Sequence, residues 1–138
     1  MGLGAAVVFA VRTVYAGLVH GPWLLTPLVY VRFTDALAPR MNLPALLAVE
    51  GLISLLFVGA YRLRFPDWRA AVGPACGFGA LFGVAVYVPQ NLFNLILLEA
   101  VQPPLAAAWA GSGIGGCLVS ALALWAATSR NGERRSGD

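Results

Sequence analysis

The chain has 138 residues, 59% of them hydrophobic and only 11% charged, with a mean hydropathy of +0.78. Soluble domains carry about twice that charged fraction, so the polar surface is too small for a water-soluble globule and a bilayer is the expected solvent. The net charge of +3 comes from arginines in short clusters between apolar runs, which excludes a basic stripe for nucleic acid.

A bilayer core needs about 20 apolar residues per helix. Four segments meet that length, at about 4–29, 43–61, 71–98 and 104–127. They predict an all-α, integral membrane four-helix bundle forming one domain over 1–138.

The opening MGLGAAVVFAVR has no early basic region of a signal peptide and is read as the start of the first helix. Arg12 lies on its inner side and is expected to snorkel inward or to pair with a neighbour. His20 lies near Pro22 and Trp23 in the outer part of the same segment. It has three readings: a hydrogen bond to a carbonyl freed near Pro22, a proton partner, or a ligand to haem or chlorophyll. No cofactor is otherwise expected.

The second segment opens with Pro44 in its first turn, where the missing N–H costs little. It carries Glu50, expected either protonated in a dry interior or ionised against His20 or Arg12. An ionisable group at membrane depth is a functional candidate by default, because an unpaired charge there costs several kcal/mol.

In the third segment, Ala75, Gly79 and Gly83 recur every four residues, a spacing that lets helix backbones approach closely. The same row continues into Tyr87 and Asn91, with Asn94 three residues further on. Pro89 leaves the carbonyl of Ala85 without its helical donor, and an asparagine amide or a neighbouring helix is expected to satisfy it. Two readings stand for these polar groups. They bond across helices and fix packing, or they line a cavity with His20 and Glu50 at one depth.

The fourth segment opens on Pro103 and Pro104 and carries a second row, Ala107, Gly111 and Gly115. Both rows are expected to face other helices, or one another. A polar tail is expected over 128–138. Arg62, Arg64 and Arg69 in the second loop, with Arg130, Arg134 and Arg135 in the tail, place both termini in the cytoplasm by the positive-inside rule. Cys76 and Cys117 stand alone in apolar runs and read as packing residues. No catalytic set and no metal motif is present.

The stretch WRAAVGPACGFGALFGVAVYVPQNLFNL resembles a family of uncharacterised bacterial four-helix membrane proteins. The matching positions are Trp68, Arg69, Gly79 to Gly83, Tyr87, Asn91, Leu92, Asn94 and Leu95. The family tends to have aspartates where this chain has His20 and Asn91, and its acidic residue and tryptophan-glycine pair in the fourth helix have no clear match here. The resemblance implies a four-helix fold in a bacterial plasma membrane and supplies no catalytic residue.

Two function classes follow. One is a small membrane protein with an outward-facing polar pocket for a small ligand or ion, lined by His20, Glu50, Tyr87, Asn91 and Asn94, with transport requiring a homodimer. The other is a structural or accessory subunit of a larger membrane complex, pigment- or haem-associated through His20. An enzyme acting on lipid or quinone ranks third.

Overall fold

The computed structural model describes residues 2–20, 43–68, 70–98, 101 and 103–133, excepting the side chains of 20, 43, 46 and 129–133. Among these residues there are four α-helices and no strand: α1 (Gly2–His20), α2 (Leu43–Arg64), α3 (Val72–Leu97) and α4 (Pro103–Glu133). The part of the expected first helix beyond residue 20, with Pro22, Trp23 and Pro27, lies outside the described residues, as does the tail from 134.

Two helices run further than their apolar stretches. α2 continues to Arg64, because arginine is a good helix former and its cation suits the negative C-terminal end. α4 continues to Glu133, past the expected end at 127. Thr128 does not break it, since its hydroxyl donates back to the carbonyl of Leu124 at 2.9 Å. Once a long helix is nucleated, each added residue gains a backbone bond at little cost.

The closest packing is between α3 and α4, and it depends on glycine. A Cβ on Gly79 would stand 2.8 Å from the carbonyl oxygen of Cys117, and one on Gly83 would stand 2.8 Å from the Cα of Ile114. Ala75, Gly79, Gly83, Tyr87 and Asn91 are the buried residues of α3, so a single row faces the bundle interior.

On α4 the contact row differs from the expected one. Ala107 and Gly111 are exposed, and Gly115 faces Tyr15 of α1. The residues that meet α3 are Gly113, Ile114, Cys117, Leu118 and Ala121. The expected row through 107, 111 and 115 is offset by two residues from the row through 113, 117 and 121, which at about 100° per residue puts it on the side of α4 away from α3.

α1 packs against α4 and α2. Gly4, in its first turn, lies beside Val58 of α2, Trp68 of the α2–α3 loop and Leu124 of α4. The start of α1 therefore meets the later parts of α2 and α4, so α1 runs antiparallel to both. Between α2 and α3 the contact is made by rings: Phe57 packs edge-on against Phe78 and Phe82, and Tyr61 edge-on against Phe78. Trp68 has φ of 60°, a strained value for a bulky residue. Its N–H donates to the carbonyl of Phe65, closing the turn that brings the indole under this cluster.

The exterior is apolar. Leu3, Leu63, Leu81 and Ile96 are each more than 70% exposed, and Val14, Leu18, Phe93 and Leu97 more than 60%. Three helices have stretches long and apolar enough to cross a membrane: Gly2–Val19, Val72–Leu97 and Pro103–Thr128. α2 is of similar length, and from Leu47 to Tyr61 its one charged residue is Glu50.

Three outcomes are expected for stability. Gly83→Ala should lower the unfolding free energy by about 1–3 kcal/mol through overpacking, whereas Gly77→Ala, with nothing within 4 Å of its added Cβ, should raise it by up to about 1 kcal/mol. The Tyr61 hydroxyl is buried without a hydrogen-bond partner among the described residues, and a buried unmet polar group costs about 1–3 kcal/mol. Tyr61→Phe should therefore be neutral or stabilising, as read from thermal unfolding in detergent.

Candidate functional site: a buried arginine bonded to three helices

Arg12 lies near the midpoint of α1 and is 5% exposed. A guanidinium cannot shed its proton to escape burial, so its neighbours must neutralise and solvate it. Glu50 does the first. Nε of Arg12 donates to Oε2 of Glu50 at 3.0 Å, and Nη2 donates to the same oxygen at 2.6 Å. Nη2 also donates to the phenol oxygen of Tyr87, and Nη1 to Sγ of Cys117 at 3.3 Å. One side chain from α1 is thus bonded to one from each of α2, α3 and α4.

All four residues lie within about one turn of the middle of their helices. The polar centre is therefore at mid-depth in the bundle, with the aromatic cluster of Phe57, Tyr61, Phe65 and Phe78 toward one end.

Glycines make the room. A Cβ on Gly113 would overlap the Tyr87 ring, and one on Gly115 would overlap the Tyr15 hydroxyl. A Cβ on Gly116 would lie 3.4 Å from the Tyr15 ring and 4.0 Å from Nη1 of Arg12. The glycine-rich AGSGIGG segment thus admits two tyrosines and a guanidinium to the face of α4, in addition to packing against α3.

Of the residues expected to line a pocket, Glu50 and Tyr87 meet at Arg12. The partner of Glu50 is Arg12, one of the two considered for it. Asn91 is buried one turn beyond Tyr87, and its side-chain amide donates to the Tyr87 carbonyl at 2.8 Å. The expected use of an asparagine amide on the Ala85 carbonyl is therefore not the one Asn91 makes: an asparagine side chain reaches the carbonyl four residues back on its own helix, which is that of residue 87. Asn94 is half-buried, and its carbonyl accepts from the N–H of Leu98 at the helix end. His20 is the last described residue of α1, and its side chain lies outside the described residues, as does Trp23.

Arg12, Cys117, Gly113 and Gly116 were not among the expected site residues. A signal for Arg12 did exist. Within the middle portions of the helices the sequence contains one cation and one anion, Arg12 and Glu50, and two opposite charges in an apolar medium pair with each other. Cys117 had no such signal, since a lone cysteine in an apolar run reads the same whether or not it accepts a bond.

Among the described residues no three histidine, cysteine, aspartate or glutamate side chains gather closely enough to hold a metal ion. No protein-family model, curated protein or solved structure matches the chain.

The pair makes a quantitative demand. Removing one partner of a buried ion pair leaves the other charge uncompensated and costs about 3–5 kcal/mol, whereas replacing both by apolar residues is often neutral. Glu50→Leu should therefore lose about that much in an unfolding titration with denaturing detergent. The double variant Arg12→Leu, Glu50→Leu should regain most of it. A double variant no more stable than the single one would mean that the pair does not carry this energy.

Proposed function

We propose that the chain is a multi-pass integral membrane protein whose four helices all cross the bilayer, with a polar centre that is open to the outer face and takes a small ligand or ion. The observation that carries this reading is the convergence of Arg12, Glu50, Tyr87 and Cys117 at mid-depth in a bundle whose exterior is leucine, valine and phenylalanine. Polar groups gathered inside and apolar groups spread outside are the arrangement a bilayer favours, and ionisable groups inside a membrane bundle mark ligand or ion paths.

The orientation with both termini in the cytoplasm rests on arginine placement, including Arg62 and Arg64 at the exposed end of α2. In that orientation Tyr87, Asn91 and Asn94 lead from the centre toward the outer face along α3. The assignment to a bacterial plasma membrane and to the four-helix family rests on the resemblance in the third helix.

The alternative, an accessory subunit docking through its glycine rows, has less support. Gly79 and Gly83 are already used against α4 within the bundle. That row is not available to a partner helix, which leaves the alternative only the exposed Ala107 and Gly111 of α4.

Water access distinguishes an open centre from a closed one. With Cys76 and Cys117 replaced by serine, Asn94→Cys should react with a membrane-impermeant methanethiosulfonate reagent added to the outer face of intact cells. Phe93→Cys, on the exposed apolar side, should not, because such reagents need the thiolate and water. Equal labelling of both positions, or of neither, would contradict an outward-open polar centre.

A further inference from the structure

The positive charge of Arg12 is permanent, so the variable at this site is the group that neutralises it. Three side chains accept hydrogen bonds from Arg12 among the described residues: Glu50 from α2, Tyr87 from α3 and Cys117 from α4. A phenol and a thiol orient a guanidinium without cancelling its charge. Only Glu50 cancels it.

The two members of the pair are held unequally. Arg12 is 5% exposed and bonded on three sides, while the Glu50 side chain is 26% exposed. Both contacts from Arg12 fall on Oε2 of Glu50 instead of one on each oxygen. Ser54, one turn along α2, donates to the backbone carbonyl of Glu50 and not to its carboxylate. Arg12 is fixed from several helices, and the carboxylate is the member that can leave.

We infer that Arg12 is the binding site for a small monovalent oxyanion of carboxylate shape, and that Glu50 is its built-in competitor. When Glu50 takes up a proton it no longer neutralises Arg12. The edge of the guanidinium bearing Nε and Nη2 is then open to an anion from outside. A carboxylate is the fitting class because that edge already holds one, through two N–H groups converging on a single oxygen at 3.0 and 2.6 Å. A divalent anion would bring an uncompensated negative charge to a site with a single cation.

One anion then enters with one proton. The net charge of the centre is unchanged, which is what the membrane interior requires. Tyr87 and Cys117 keep the guanidinium in place while its counter-ion is exchanged. The inference rests on the outward-open centre proposed above.

Calorimetric titration of the purified full-length protein in detergent with sodium formate tests it at about pH 5, 6, 7 and 8. Formate affinity should fall as pH rises, because one proton is taken up with each anion. The heat should depend on the buffer's ionisation enthalpy as uptake of one proton requires. Sodium sulfate should give no such signal.

Glu50→Gln should bind formate with the same affinity at every pH and without proton uptake, a gain over wild type at about pH 8. Arg12→Gln should bind none. Because Arg12→Gln removes a contact to each other helix, the gain in Glu50→Gln is the deciding arm. A Glu50→Gln protein that elutes as folded and binds no formate would overturn the inference, as would wild-type binding without proton uptake. If Asn94→Cys is labelled from outside and formate still does not bind, only the anion inference falls. If labelling fails as well, the open centre falls with it.

Discussion

The positive charge on Arg12 is the constraint around which the rest of the molecule is arranged. An arginine buried in a bundle cannot be neutralised by losing a proton, and moving it from water into a medium of low dielectric costs several kcal/mol even after relaxation. That cost is met by a carboxylate from α2, a phenol from α3 and a thiol from α4. Each acceptor fixes the rotation of the helix that carries it. α2 must present Glu50 inward, and the same rotation brings Ser54, Phe57, Val58 and Tyr61 into the buried face. In α3 the inward Tyr87 shares its face with Ala75, Gly79 and Gly83.

Space at the centre is limited by the two tyrosines, and glycine on α4 provides it. Gly113 lies against the Tyr87 ring and Gly115 against the Tyr15 hydroxyl, so the phenol that bonds Arg12 is seated only because no side chain stands opposite it. Further along the same interface, Gly79 and Gly83 bring α3 so close to α4 that an added methyl on either would meet backbone. Where the helices stand further apart, between α2 and α3, large rings fill the gap. The bundle thus has a tight glycine seam on one side and a ring-filled seam on another, with the charge pair between them. In the bilayer proposed for the chain, apolar solvent would supply little force for helix association, which leaves close packing and polar bonds to hold the helices together.

Several of these features were legible in the sequence, for reasons that differ from helix to helix. The helices themselves followed from runs of about 20 apolar residues, because that signal is local, whereas α2 and α4 continue beyond those runs to Arg64 and Glu133. The row from Ala75 to Asn91 was legible because one helix face is defined by spacing alone. The corresponding face of α4 was not: AGSGIGG offers glycine at every rotation, and the choice of Gly113 over Gly111 is made by a tyrosine on another helix. The Arg12–Glu50 pair was half legible. Charge scarcity pointed to a pairing, but assigning Arg12 to the inner side of a helix drawn as 4–29 placed it away from the depth of Glu50. Its two bonds to Glu50 put Arg12 at the level of its partner. Asn91 looked like a group awaiting a cross-helix partner, whereas its amide is used on its own helix.

A buried ion pair is weak grounds for stability, because well-packed apolar residues of the same volume often serve as well or better. In a bundle with an apolar exterior the substitution would be easier still, since leucine at both positions would need no partner at all. The presence of Arg12 and Glu50 therefore calls for something an apolar core cannot supply, and two properties of the site qualify. One is specificity: three unlike acceptors on three helices distinguish this arrangement from rotated or reordered bundles with the same apolar area. The other is exchange: a permanent cation opposed by a titratable anion is a pair in which one member can be replaced and the other cannot. Specificity alone would be served by an asparagine or a serine bonded across helices, at a smaller desolvation cost. A full charge on each side, with the carboxylate the more exposed and the less bonded of the two, favours exchange.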